Sequence, residues 1–314
     1  MPLDPQAAAL IQQMQALGAP PLNEMSPEQA REAAAGFAQL AGAPEPVASI
    51  INRTLPGPRG DIPVRIYTPE GQGELPVIVY FHGGGWVLGT LDTVDVLCTQ
   101  LANRASAVVV SVDYRLAPEH KFPAAADDCF AALRWVTDHA RELNADPQRL
   151  AVAGDSAGGN LAAVSAAMAR DAGTPSLVLQ VLFCPVTNHA FETPSYRDNG
   201  RDYFLTTDMM RWFWDLYLTS TDEGRDWRAS PLGLSDLSGL PPAYIVTAEY
   251  DPLRDEAEAY AERLQQAGIP VTLRRYDGQI HDFITMAGAM GQAGPAVEAA
   301  AAALRAAFTA KVPA

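Results

Sequence analysis

Gly154-Asp155-Ser156-Ala157-Gly158 lies between a short apolar run, Leu150-Ala151-Val152-Ala153, and an alanine-rich stretch from Gly159 to Arg170. The run reads as a buried strand and the stretch as a helix. A serine on a sharp strand-to-helix turn is lifted off the sheet edge, where its Oγ can attack a carbonyl. The flanking glycines suit a turn with no room for Cβ atoms and with a demand for positive φ. The helix that starts just after the serine favours negative charge at its N-terminus, and a tetrahedral intermediate carries such charge.

Outward from the turn, the pattern is one of alternation. Ile62 to Tyr67 alternates as a strand, and Val77 to Phe81, Ala107 to Val112, Leu177 to Phe183 and Ala243 to Thr247 are continuous apolar runs. Such runs suit strands covered on both faces of a parallel sheet. Helical stretches separate them, among them Ala124 to His139 and Asp255 to Gln266, and Ala296 to Ala310 reads as a C-terminal helix. Alternating strands and helices predict an α/β doubly wound sheet.

Two regions break the pattern. The first fifty residues read as two helices with no strand. Asp4-Pro5 starts one that Gly18 closes, and Ser26-Pro27-Glu28-Gln29 starts one running to about Leu40. Residues 187–229 are polar and aromatic, with a helix over Thr207 to Leu218 that is apolar on nearly all sides. Such a helix packs on more than one surface. It is either a helix laid on the sheet or a lid with one face toward a pocket.

Composition excludes several partners. The 22 Lys and Arg against 37 Asp and Glu leave a net charge of −15, which argues against nucleic acid and anionic membranes. Cys98, Cys129 and Cys184 have no metal or redox spacing and read as small core residues. Met1-Pro2-Leu3-Asp4 opens no signal peptide, and no run of about 18 apolar residues suggests a membrane span. The expected location is the cytoplasm.

A serine nucleophile needs a base, and the base needs an orienting acid. Of the five histidines, His281 follows the strand-like Val271 to Tyr276 on a loop carrying Gly278, where ligands bind in open α/β sheets. His120, His139 and His189 sit in a loop, a helix end and the polar insert. With an elbow of this kind the acid falls between serine and histidine in chain order. Asp251 ends the run from Ala243, Glu249 is its nearest rival, and Asp277 is too near His281. The assignment is Ser156 as nucleophile, His281 as base and then acid, and Asp251 as orienter. A neutral imidazole predicts activity rising at about pH 6–7.

His82-Gly83-Gly84-Gly85-Trp86 follows the strand ending at Phe81, about 70 residues ahead of the serine. Glycines there let backbone N–H groups approach a ligand. Gly83, Gly84 and Ala157 are the expected oxyanion donors, with His82 as a brace. Trp86, Met209, Met210 and Phe213 are the expected substrate-binding side chains.

His82-Gly83-Gly84-Gly85, Gly154 to Asn160, Asp251-Pro252-Leu253-Arg254-Asp255-Glu256, His281 and Asp113 to Glu119 together resemble the bacterial hormone-sensitive-lipase-like branch of the α/β-hydrolases. The resemblance spans nearly the whole chain. It implies an α/β-hydrolase fold, with an eight-stranded, mostly parallel sheet flanked by helices and capped by helices. The cap would comprise residues 1–50 and the insert 187–229, and the catalytic domain 51–186 and 230–314. It also implies a serine carboxylesterase acting on short- to medium-chain esters, without metal or cofactor. The expected partner is a small-molecule ester, with a homodimer left open. Two alternatives share this machinery or this fold: hydrolysis of amides or lactones, and a hormone-binding protein. The intact triad argues against the latter.

Overall fold

The computed structural model describes residues 1–310. The chain opens with helices α1 (Pro5–Leu17) and α2 (Pro27–Ala35). Asp4 Oδ1 accepts the Gln6 N–H, and Ser26 and Gln29 close a reciprocal capping box. α2 ends short of Leu40, because at Gly36, a poor helix former, the chain tightens into a 3₁₀ segment over Gly36–Ala41.

Strand β1 (Ser49–Gly57) then pairs antiparallel with β2 (Gly60–Thr68). The sequence reading has no β1. It lies at the sheet edge with only Leu55 buried, so it carries no apolar run to reveal it. The remaining elements alternate. They are β3 (Leu75–Phe81), α3 (Asp95–Ala105), β4 (Val108–Val112), α4 (Ala124–Asp138), β5 (Ala145–Asp155), α5 (Ala157–Ala172) and β6 (Leu179–Phe183). After α6 (Pro194–Asn199) and α7 (Thr207–Tyr217) come β7 (Ala243–Tyr250), α8 (Arg254–Gln266), β8 (Val271–Ile280) and α9 (Ala293–Thr309).

The eight strands form one sheet in the order β1-β2-β4-β3-β5-β6-β7-β8. β3 to β8 run parallel, and β2 lies antiparallel to β4. Each face carries its own core. Val77, Val79 and Phe81 of β3 pack with α4, α5 and α8, whereas Ile78 and Tyr80 pack with α3, α9 and α1. That split follows from the period of two along a strand. It explains why the central strands read as unbroken apolar runs: both faces are covered.

The chain leaves β3 in one direction to reach β4 and crosses back to β5 on the other side. Where strand order reverses in this way, a crevice opens at the carboxyl ends of the strands. The glycine loop follows β3 and Ser156 follows β5, so both stand at this crevice.

Helix α7 is not apolar on all sides. Asp208, Arg211 and Asp215 are exposed, while Met210, Phe213, Trp214 and Tyr217 are buried. It is an amphipathic helix with one wet stripe.

Candidate active site

Ser156 takes φ 53° and ψ −116° between β5 and α5. The positive φ therefore falls on the serine and not on its glycine neighbours. The glycines answer a different demand. A Cβ on Gly158 would lie 2.0 Å from the Phe81 carbonyl oxygen, and one on Gly154 would lie 2.3 Å from that of Gly158. Backbone passes backbone too closely for any side chain. The turn is tied down by the Ser156 N–H donating to Phe183 O at 2.8 Å and the Asn160 N–H donating to Ser156 O at 3.0 Å.

The three expected residues meet at the crevice although they are far apart in the chain. His281 Nε2 lies 2.9 Å from Ser156 Oγ, and Nδ1 lies 2.7 Å from Asp251 Oδ2. Asp251 stands just beyond β7, and its Oδ1 accepts the Leu253 N–H at 2.8 Å. All three side chains are buried. Burial alone would push the imidazole down, but the Asp251 and Asp282 carboxylates reverse this and hold it well above its ordinary value. The imidazole is thus harder to deprotonate than that of a lone histidine.

Glu249 is engaged elsewhere, by the chain's N-terminal ammonium at 2.6 Å and the Gly278 N–H at 2.7 Å. Asp277 is exposed, as is His120. His139 caps α4 and stacks on Trp135. His189 sits half-buried in the insert, against Trp214.

His82 is a brace. Its Nδ1–H donates to Gly83 O at 2.8 Å, its ring stacks on Tyr114 at 4.4 Å, and burial pushes its pKa down to about 4. The Tyr114 hydroxyl donates to His82 O at 2.7 Å. The Asp113 to Glu119 segment thus has a structural task. Arg115 forks onto Asp128, and Glu119 receives both ends of Arg31, tying α2 to the loop.

Gly83 leaves no room for a side chain: a Cβ there would lie 2.2 Å from Asp155 Oδ2. Gly84 and Gly85 follow at φ 105° and 59°. Among the described residues, no backbone acceptor meets the N–H of Gly83, Gly84, Gly85 or Ala157.

A cavity of about 590 Å³ opens at Ser156 and His281. Met209, Met210 and Phe213 line it, and the Phe213 ring leaves no space for a Cβ on Gly85. Trp86 does not line it. At φ 61° its ring turns into the core and stacks on Tyr217 at 4.3 Å and against Trp214 at 4.5 Å. Further lining comes from the N-terminal region, from Met14 of α1, then Met25 and Phe37, none of which the sequence reading assigned to the site.

Segment Asp251 to Glu256 also anchors the insert. Glu256 Oε1 accepts the N–H groups of Thr187 and Asn188, and Asp255 Oδ2 accepts that of Ser195. Cys184 is more than core packing. Its sulfur, Asp251 and His281 have ligand atoms within 4.8 Å of one another. Burial pushes the Cys184 thiol up to about 12, so it keeps its proton and is a poor metal ligand.

With this geometry in hand, the chain can be placed among known proteins. A family model described as the alpha/beta hydrolase fold matches residues 78–285. The chain belongs to the hormone-sensitive-lipase-like carboxylesterase branch of the α/β-hydrolases. It is 50% identical over 232 residues to carboxylesterase NlhH of Mycobacterium tuberculosis, covering 72% of each chain. It is 38% identical over 300 residues to the ethyl acetate hydrolase of Pseudomonas putida, covering 91% of this chain and 93% of that one. A solved hyperthermophilic esterase from Pyrobaculum calidifontis superimposes with a TM-score of 0.93 at 42% identity, over 99% of this chain and all of that one (100%).

Proposed function

We propose that this carboxylic ester hydrolase works through an acyl-enzyme formed on Ser156. His281 takes the serine proton through Nε2 as Oγ attacks the ester carbonyl. Asp251 holds the imidazole in the tautomer that leaves Nε2 free to accept and stabilises the imidazolium that results. His281 then protonates the leaving alcohol, and water repeats the sequence on the acyl group. The observation that carries this reading is the unbroken chain Ser156 Oγ, His281 Nε2, His281 Nδ1, Asp251 Oδ2, at 2.9 and 2.7 Å.

The N–H groups of Gly83, Gly84 and Ala157 receive the oxyanion. Each such donor is worth about 10²–10³ in rate. The helices of residues 1–50 and the insert 187–229 serve as the cap, and Met209, Met210 and Phe213 bound the acyl pocket. The pocket's apolar walls and finite volume favour short to medium acyl chains. Three buried free cysteines fit a reducing compartment, in keeping with a cytoplasmic enzyme. No described helix is long and apolar enough to cross a membrane.

The test is Ser156→Ala with a short-chain p-nitrophenyl ester. The expected loss in kcat is about 10⁶, with an unchanged circular dichroism spectrum. Folded variant protein that retained more than a few per cent of activity would overturn the mechanism.

A further inference from the structure

The residue after the base, Asp282, has no part in the triad, yet it faces the reacting side of the imidazole. Its Oδ2 lies 3.4 Å from His281 Nε2, the same nitrogen that meets Ser156 Oγ. Its Oδ1 is buried and without a hydrogen-bond partner. The side chain lines the cavity beside Ser156. Its backbone adopts φ 55° and ψ 20°, a left-handed conformation that is unusual for a residue with a Cβ. The turn is held by Thr285, whose N–H and hydroxyl both donate to Asp282 O at 2.9 Å. An ordinary helical or extended backbone would not return this carboxylate to the ring of its own neighbour.

We propose that Asp282 is a positioning residue for the reaction: a second carboxylate, on the Nε2 side, that stabilises the His281 imidazolium and sets the pH at which the base becomes available. Asp251 holds one nitrogen of the ring and Asp282 attracts the other. Both carboxylates favour the charged ring, which forms as the tetrahedral intermediate does. The same attraction makes the resting imidazole slower to lose its proton as pH rises. The enzyme therefore gains imidazolium stability and gives up activity at mildly acid pH.

Other titratable groups face this cluster. Asp251 comes from the end of β7, Cys184 from the end of β6, Asp155 from the end of β5 and Tyr80 from β3. The Cys184 thiol keeps its proton, and the Tyr80 hydroxyl, which donates to Asp155 Oδ1, is driven further from ionisation by burial. Burial and the neighbouring Asp282 push Asp155 up. Burial and Asp251 raise Asp282, and the adjacent His281 favours its charged form.

The proposal rests on His281 being the general base, so its test has two arms. In the first, the pH dependence of kcat/KM is compared for the wild type and Asp282→Asn, which keeps the shape and the tolerance for left-handed backbone but removes the charge. The acid limb should move to lower pH by about 1 unit, the scale of a nearby opposite charge. The plateau should fall by up to about tenfold, the factor that corresponds to such a shift. In the second arm, the His281 ring proton resonance is titrated by NMR in Ser156→Ala with and without Asp282→Asn, and its midpoint should fall likewise. If Asp282→Asn does not fold, Asp282→Gly, which the left-handed backbone accepts, replaces it in both arms. An NMR midpoint that stays put or rises overturns the role of Asp282. A midpoint that falls while the rate limb stays put supports the electrostatic role and overturns His281 as the base.

Discussion

The nucleophile turn and the cap are held by different physics. At the turn, backbone meets backbone: Gly158 lies against the Phe81 carbonyl, and the Ser156 N–H is bound to Phe183 O. Buried polar groups there are fixed by directed bonds, each costly to leave unmade. The wall over the cavity consists instead of apolar side chains on short helices, among them the thirteen-residue α1 and the eleven-residue α7. Dispersion and burial are non-directional, so a side chain there can be exchanged for another of similar bulk. On the proposed mechanism, the reaction is therefore sensitive to single atoms in the turn, and the choice of substrate is set in the cap.

That contrast breaks most visibly at the acid. Asp251→Asn should reduce kcat by about 10³–10⁴, the loss expected when the base is left in the wrong tautomer. Glu249→Gln should cost far less, since Glu249 binds the N-terminal ammonium and Gly278. Steady-state kinetics on the two variants decides this, and the reverse ranking would move the orienting role to Glu249.

The next effect is in pH. The base must be neutral to accept the serine proton. Its pKa is held above the ordinary value of 6.5, so kcat/KM should rise through a single ionisation above that pH and level off beyond it. The sequence alone suggested about pH 6–7, and the two carboxylates at the ring move the limb upward. Below the limb, each pH unit should cost about tenfold in rate. A profile already flat at pH 6 would contradict the geometry of the Asp251–His281–Asp282 group.

The smallest effects belong to the cap. Phe213→Ala and Met210→Ala should shift the preferred acyl length of p-nitrophenyl esters upward, by a few carbons at about 0.8 kcal/mol for each newly buried CH₂. Trp214→Ala should behave differently. That ring packs on Trp86, Tyr217 and His189 and does not line the cavity, so its loss should cost about 3–5 kcal/mol of stability with the chain-length optimum unchanged. Thermal melts and a chain-length series separate the two kinds of residue. Equal shifts in all three variants would erase the distinction between wall and core.

How far the sequence could be read follows the same division. The triad and the glycine loop were legible because tight backbone passages demand glycine at fixed spacing, and because strand ends at one sheet edge bring distant loops together. Trp86 was misplaced because proximity in sequence says nothing about which way a left-handed residue turns. At φ 61° Trp86 points into the core. β1 escaped notice because an edge strand with one buried residue has no apolar run. The contributions of Met14, Met25 and Phe37 depend on how the N-terminal helices dock, which spacing along each helix does not encode. Asp282 was invisible for the same reason as Trp86: its relation to the base depends on a backbone angle.

On the proposed mechanism, Ser156 alone forms the covalent intermediate. Reaction with a p-nitrophenyl alkylphosphonate, followed by intact-mass measurement and peptide mapping, tests it most directly. One phosphonyl group per chain should appear on the peptide containing Ser156, in step with loss of activity, and none on Ser156→Ala. Complete inactivation with the adduct on another residue, or full labelling of Ser156 with activity retained, would contradict it.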